Sequence, residues 1–192
     1  MSSVALSSTS KRGRPRRFDP VEGIERVHVL FARDGFDAVG VAEICGLLGI
    51  APPSLYAAYG SKRALFQQVL DRYDAASRDR YAAAMDAAEA LDELRANVLR
   101  TAADLYAADG GVGCLVLSNL SATADPDLRT ALADVVAARR GAMTDRARAL
   151  GASDGEARDF VTGLSVAMMG LSAAARTGMD RAALDVALRQ FL

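Results

Sequence analysis

Apolar positions along this chain repeat every three or four residues from about position 20 onward, and no alternating run of β-branched residues interrupts them. Val21, Ile24, Val27, Leu30 and Phe31 put one apolar face on a helix expected from Pro20 to Arg33. Pro20 suits an early helical position, and Gly35 supplies the left-handed stop. Val41, Ile44, Leu47 and Leu48 mark a short second helix that Gly49 ends. A third begins at the pair Pro52-Pro53 and turns Leu55 and Tyr59 inward. Two short helices joined at Gly49-Ile50-Ala51 make a helix-turn-helix pattern.

Ser61 is an acceptable N-cap for a long fourth helix striped by Leu65, Phe66, Val69, Leu70 and Tyr73. Leu91, Leu94, Val98, Leu105 and Tyr106 mark the next, which Ala108-Asp109-Gly110-Gly111 breaks. Cys114 to Leu120 reads as a short apolar helix. Asp125-Pro126-Asp127 opens another, with Leu128, Leu132, Val135, Val136 and Met143 along it. Gly151 to Gly155 reads as a loop, and helices at Phe160–Ala175 and Arg181–Leu192 close the chain. The expectation is an all-α fold of about nine helices.

Composition agrees. Of 192 residues, 51% are hydrophobic and 24% charged, a folded rather than disordered profile, with Ala-rich runs and only 5 Pro. Net charge is −1, but its distribution is uneven. Residues 1–66 hold nine Lys/Arg against six Asp/Glu, and the remainder fourteen against eighteen. An anionic partner is therefore expected for the N-terminal part alone. The Ser-rich start leads into KRGRPRR at 11–17, where Gly13 and Pro15 oppose a helix. An extended arm following a nucleic-acid backbone or groove is the expected role.

Catalytic chemistry has little support. GxSxG, P-loop, GxGxxG and HExxH motifs are absent, and His28 is the only histidine. His28 reads as a packed boundary residue. Cys45 and Cys114 lack metal spacing and read as reduced, packed thiols. No cofactor is expected. No secretory signal and no membrane span are apparent, so a cytoplasmic protein is expected. Asn119-Leu120-Ser121 matches a glycosylation sequon, which matters only in a secreted protein.

Lys62 and Arg63 fall in the first turn of the fourth helix, where cations oppose the helix dipole. A DNA phosphate there would reverse the sign. The second helix of a helix-turn-helix enters the major groove while its flanks hold phosphates.

Over residues 11–75 the chain resembles the TetR family of transcriptional regulators, through GRPRRFDP, FARDGFDAVGVAEICGLLGI and PPSLYAAYGSKRALFQQVLDRY. The SLYxxYGSKxALF run is the specific part. Beyond residue 80 the likeness rests on GVGCLVLSNL, DPDLRTAL and the helix count. The resemblance implies a flexible basic arm at 1–16, a DNA-binding domain at 17–77, and a ligand-binding and dimerisation domain at 78–192. It implies double-stranded DNA, a second copy of the chain, and a small apolar or amphipathic ligand as partners. Arg14, Arg16 and Arg17 would reach the backbone or minor groove. Tyr56 and Lys62 would contact phosphate, with Pro52, Ser54, Ala57 and Ala58 at the groove. Gly40 stands where relatives usually carry a capping Ser or Thr that can bind phosphate, and Ala51, Pro52 and Ala58 also replace polar residues. Leu105, Tyr106, Leu117, Leu120, Met143 and Met168 are the ligand candidates by family position and apolarity.

Gly163, Ala167, Gly170 and Ala174 recur at helical spacing beside the stripe Phe160, Leu164, Met168 and Leu171. With Leu184, Leu188 and Phe191 they are expected to form a dimer interface, a four-helix bundle across a two-fold axis. The function expected is a DNA-binding repressor released by its ligand. The alternatives are a helical small-molecule carrier or enzyme without specific DNA binding, and an architectural DNA-binding protein.

Overall fold

The computed structural model describes residues 18–190 and 192, and among them it contains nine α-helices and no strand. Arg14, Arg16, Arg17 and Phe191 lie outside the described residues. Helix α1 (Pro20–Asp34) starts behind Asp19, whose carboxylate accepts the Val21 N–H at 2.8 Å. Helices α2 (Val41–Leu48) and α3 (Pro52–Tyr59) turn by 92° at Gly49, which has φ 69° and ψ 33°. Only a residue that tolerates the left-handed region makes that turn without strain. Val27, Phe31, Ile44, Leu55 and Tyr59 are buried together beneath them.

Tyr59 donates its hydroxyl to the Pro20 carbonyl at 2.8 Å. A Cβ on Gly23 would stand 2.2 Å from that hydroxyl, so the close approach of α3 to α1 requires glycine there. Helix α4 (Lys62–Asp86) begins as expected, with Ser61 Oγ accepting the Ala64 N–H at 3.0 Å. It runs unbroken through residues 77 and 78, so one rigid helix belongs to both halves of the chain.

The second half comprises α5 (Leu91–Gly111), α6 (Leu115–Ala122), α7 (Pro126–Ala149), α8 (Asp154–Arg176) and α9 (Arg181–Leu188). Helix α8 packs on α5 and α7, and α5 packs also on α4 and α9. Backbone angles leave helical values at Ala108, Asp109 and Gly110, at the break expected in α5. Two ends differ from expectation. Helix α8 starts at Asp154 rather than near Phe160, because Ser153 and Glu156 form a capping box that outweighs Gly155 in the first turn. Helix α9 ends at Leu188 rather than at the last residue.

The end of α1 and the loop after it join the two halves. Asn119, fully buried on α6, accepts the Phe36 N–H at 2.6 Å and donates to the Phe31 carbonyl at 3.0 Å and the Leu115 carbonyl at 2.8 Å. Arg176 of α8 donates to the carbonyls of Ala32 and Arg33. Asp37 accepts the Ala124 N–H at 2.6 Å and the Thr123 hydroxyl at 3.2 Å. Buried backbone groups must find partners, and this segment takes them from the second half.

A second tie lies lower on α4. Arg139 of α7 donates to Asp74 at 2.9 Å and to Ser77 Oγ at 2.8 Å, and Arg78 shares the same carboxylate. Desolvation pushes the Asp74 carboxyl up, but hydrogen bonds from Arg78 and Arg139 outweigh it and hold the group below its usual range.

Three variants have expected outcomes in urea denaturation. Asn119→Ala strands the buried Phe36 N–H and lowers stability by about 2–3 kcal/mol. Asn119→Asp is at least as harmful, because a carboxylate cannot donate to the two carbonyls. The stability due to Asp74 is fully present above its unfolded pKa of about 3.9 and is lost as pH falls through its lower folded value. Asp74→Asn is therefore less stable than the parent at neutral pH, and the difference closes below about pH 4.

Candidate nucleic-acid interface and effector cavity

Helix α3 buries Leu55 and Tyr59 and turns every other residue outward. Pro52, Ser54, Ala57 and Ala58 are exposed, and Tyr56 is 47% exposed. The face is small and smooth, with one hydroxyl from Ser54 and one phenol from Tyr56. Its N-terminus offers an anion little. Pro52 and Pro53 have no N–H, and the Ser54 N–H donates to the Ala51 carbonyl at 2.9 Å. Gly40 caps α2 with no side-chain hydrogen bond, as its missing hydroxyl requires.

The cationic first turn of α4 has partners within the chain. Its Nζ donates to the Phe36 carbonyl at 2.8 Å and the Val39 carbonyl at 2.9 Å, and lies 4.2 Å from the centre of the Phe36 ring. Two of its three protons are thus committed to the loop after α1, which leaves one for a phosphate. Arg63 pairs with Asp125 and, at 3.4 Å, with Asp127 at the start of α7. The Leu128 N–H, and after it the Arg63 guanidinium, hold the Asp125 carboxyl below its usual range. Two like charges opposing a helix dipole are tolerated because the fold supplies carbonyls and carboxylates to meet them.

The residues expected at a dimer interface fall on two faces of α8 and α9. Leu164, Leu171, Leu184 and Leu188 are buried within the chain's own core and are closed to a partner. Phe160, Ala167 and Ala174 are half-buried at the edge. Gly163 and Gly170 are exposed, and nothing of this chain lies within 4 Å of a Cβ placed on either. Between them stand Val166, 65% exposed, and Met169, 46% exposed, with Ala173 beyond. Val186 on α9 is 55% exposed. Val166, Met169, Ala173 and Val186 were not named in sequence, although Val166 and Ala173 follow the three-and-four spacing that runs through Gly163 and Gly170.

Tyr106, Leu117, Met143 and Met168 line one cavity of about 40 Å³ between α5, α6, α7 and α8. Val136, Met169, Arg139, Arg140 and Ser165 complete its wall, and sequence reasoning had named none of these five there. Leu120 instead lines an open groove of about 630 Å³ between α6 and α8, which Leu117 also borders. Leu105 lines neither and is half-buried against the core. Behind the cavity Tyr73 donates to Cys114 Sγ at 3.4 Å, and Tyr81 and Tyr106 share a hydroxyl contact of 3.4 Å. Burial pushes all three phenols upward in pKa, so they are neutral at pH 7.

His28 stacks on Tyr73 with ring centres 5.2 Å apart, and its Nδ1 lies 3.9 Å from Asp109. Burial pushes its pKa down against the pull of that carboxylate. Both cysteines are free and buried. Among the described residues no His, Cys, Asp or Glu cluster could hold a metal, and no single helix is long and apolar enough to cross a membrane.

Comparison with known proteins joins these surfaces to a family. The profile of bacterial regulatory proteins, tetR family, matches residues 27–69, which span α2, α3 and parts of α1 and α4. The HTH-type transcriptional repressor ComR of Escherichia coli (strain K12) is 34% identical over 124 residues, 60% of this chain and 56% of that protein. A cysteine variant of the TetR family transcriptional regulator CifR, solved in complex with 26-bp double-strand operator DNA, superposes with a TM-score of 0.75. It is 30% identical, and the match covers 93% of this chain and 97% of that one. The HTH-type transcriptional repressor BdcR of Escherichia coli (strain K12) is 40% identical over 178 residues, 86% of this chain and 83% of the relative. The helix-turn-helix, the nine-helix architecture and that extent of identity place this chain in the TetR family of bacterial regulatory proteins.

Proposed function

We propose that the chain is a transcriptional repressor which, as a homodimer in the cytoplasm, holds a palindromic operator and leaves it when a small ligand enters the cavity beside Tyr106. The observation that carries the reading is the outward face of α3, set at 92° to α2 in a chain 40% identical to a repressor. An α-helix fits the major groove, and two copies related by a two-fold axis meet half-sites about 34–36 Å apart. An enzyme or carrier reading finds no comparable arrangement of groups.

On this reading α3 positions well and reads sparingly. Ser54 can hydrogen-bond a base edge, and the methyls of Ala57 and Ala58 suit thymine methyls. Tyr56 donates to phosphate, the Lys62 ammonium uses its remaining proton there, and Arg14, Arg16 and Arg17 follow the backbone or minor groove. The dimer is built on the outer face of α8 and α9, where Gly163 and Gly170 let a second backbone approach and Val166, Met169 and Val186 supply apolar area.

Release follows from differential binding. A ligand held more tightly in a conformation whose heads do not match the half-sites shifts the population toward it. Helix α4 is the element both sites share. Its first turn holds the loop after α1 through Lys62, and its middle meets the cavity wall through Asp74 and Arg139.

Titration of the duplex upstream of the gene, by fluorescence anisotropy at several salt concentrations, tests DNA binding. Affinity is expected to fall linearly on logarithmic axes, and replacing Arg14, Arg16 and Arg17 by Ala lowers the slope by roughly 2.7. Tyr56→Phe weakens binding by about fivefold to tenfold with an unchanged melting temperature. Lys62→Ala weakens it too but also lowers the melting temperature, since two loop carbonyls lose their donor. A salt-independent affinity would remove the DNA-binding reading. For assembly, Val166→Glu with Met169→Glu is expected to give a monomer in sedimentation velocity that no longer binds the duplex. A dimer that persists places the interface elsewhere.

A further inference from the structure

The cavity beside Tyr106 has an electrostatic bias that its apolar floor conceals. Arg139 and Arg140 both line it, and no Asp or Glu does. Arg139 is largely buried, with 14% of its side chain exposed, and its carboxylate partner Asp74 is shared with Arg78. Two guanidiniums against one carboxylate leave that group of charges net positive. The other groups around Arg139 are the Ser77 hydroxyl, 2.8 Å away, and the Tyr73 ring, 5.7 Å from its guanidinium, and neither adds a carboxylate. Arg140 adds a second cation at the rim, and among the described residues it donates only to Thr162 Oγ1, at 3.4 Å.

A neutral donor points the same way. Tyr81 and Tyr106 share a single hydroxyl contact, so one of their two phenolic protons has no acceptor among the described residues. Tyr106 is fully buried and forms part of the cavity wall. The floor opposite is Leu117, Val136 and three methionines, Met143, Met168 and Met169. Unbranched thioether side chains re-pack readily, so a cavity of about 40 Å³ can open for a slender apolar chain while excluding a bulky rigid one.

We propose that this cavity takes a small amphipathic anion, a carboxylate on a short flexible apolar chain, with its head on Arg140 and Arg139 and its tail among the methionines. The inference rests on the reading of this cavity as the effector site. A carboxylate suits a guanidinium through two parallel charge-assisted hydrogen bonds, and a low-dielectric floor strengthens them. An anion that draws Arg139 toward the cavity competes with Asp74 for the same guanidinium. Helix α4 then loses a tie to α7, which connects ligand entry to the reading heads.

The test uses the full-length protein with butyrate, hexanoate, octanoate and decanoate, beside the alcohols and primary amines of the same chain lengths. Calorimetry is expected to show that a carboxylate binds roughly tenfold more tightly than its alcohol, while the amine does not bind. The three cavity methionines, labelled at their methyl carbons, shift in NMR spectra on addition of the carboxylate, and Met85 and Met179 do not. Arg140→Ala, at a surface position, narrows the preference for carboxylate over alcohol. The carboxylate also releases the upstream duplex. If alcohols bind as tightly as carboxylates and Arg140→Ala changes nothing, the anionic class is wrong while the cavity remains an effector site. If no compound in any series binds, or the methionine shifts fall at Met85 and Met179, the effector-site reading fails as well.

Discussion

The structure depends on how the backbone between Phe31 and Val39 satisfies its polar groups. This segment ends α1 and leads to α2, so it carries carbonyls and N–H groups that no helix of its own can pair. Three other helices supply the partners: α4 through Lys62, α6 through Asn119 and α8 through Arg176. Each partner is a side chain reaching across an interface, and the Asn119 contacts are fully buried. An unpaired buried group would cost more than the bond that pairs it gains, so the helix-turn-helix unit has one low-energy seat on the second half. The seat of the unit that carries α3 therefore follows in part from Asn119, more than eighty positions from the Phe31 and Phe36 groups it pairs.

Helix α4 extends that dependence to the cavity. It meets the loop after α1 at its first turn and α7 at Asp74, so both ends of the functional geometry lie on one continuous helix. Asp74 is shared by Arg78 and Arg139, and this leaves the cavity wall short of negative charge. A stable fold thus coexists with an unbalanced guanidinium, and the imbalance is what a ligand can exploit. Arg63 is tied to Asp125 and Asp127, a third contact between α7 and the end of α4 next to the helix-turn-helix.

Most helix ends were legible because their causes are local. Asp19, Ser61 and Asp125 each cap a helix with their own side chain, and Gly35 and Gly49 end α1 and α2. The start of α8 was legible as well, in Ser153 and Glu156, but Gly151 and Gly155 nearby suggested a loop. Asn119 read only as part of a sequon, and nothing local distinguishes a buried amide that bridges Phe31 and Phe36 from an exposed one. The intrachain partners of Lys62 and Arg63 could not be read, because Phe36, Val39 and Asp125 lie elsewhere in the chain.

The face proposed for the dimer shows the same division. Periodicity found both stripes of α8, the small residues and the large apolar ones, but could not say which faced α5 and α7. Packing chose the leucines for the core and left Gly163, Val166, Met169 and Gly170 outside. The sequence by itself determined the all-α class, the helix-turn-helix with its left-handed turn, and a recognition helix poor in hydrogen-bond donors. These depend on backbone preference and spacing within a few residues, which propensities and caps express directly. Only the tertiary structure decided which cations were already paired, which apolar face stayed free, and which guanidiniums border the cavity. Those outcomes depend on distances between residues far apart in the chain, set by how whole helices pack.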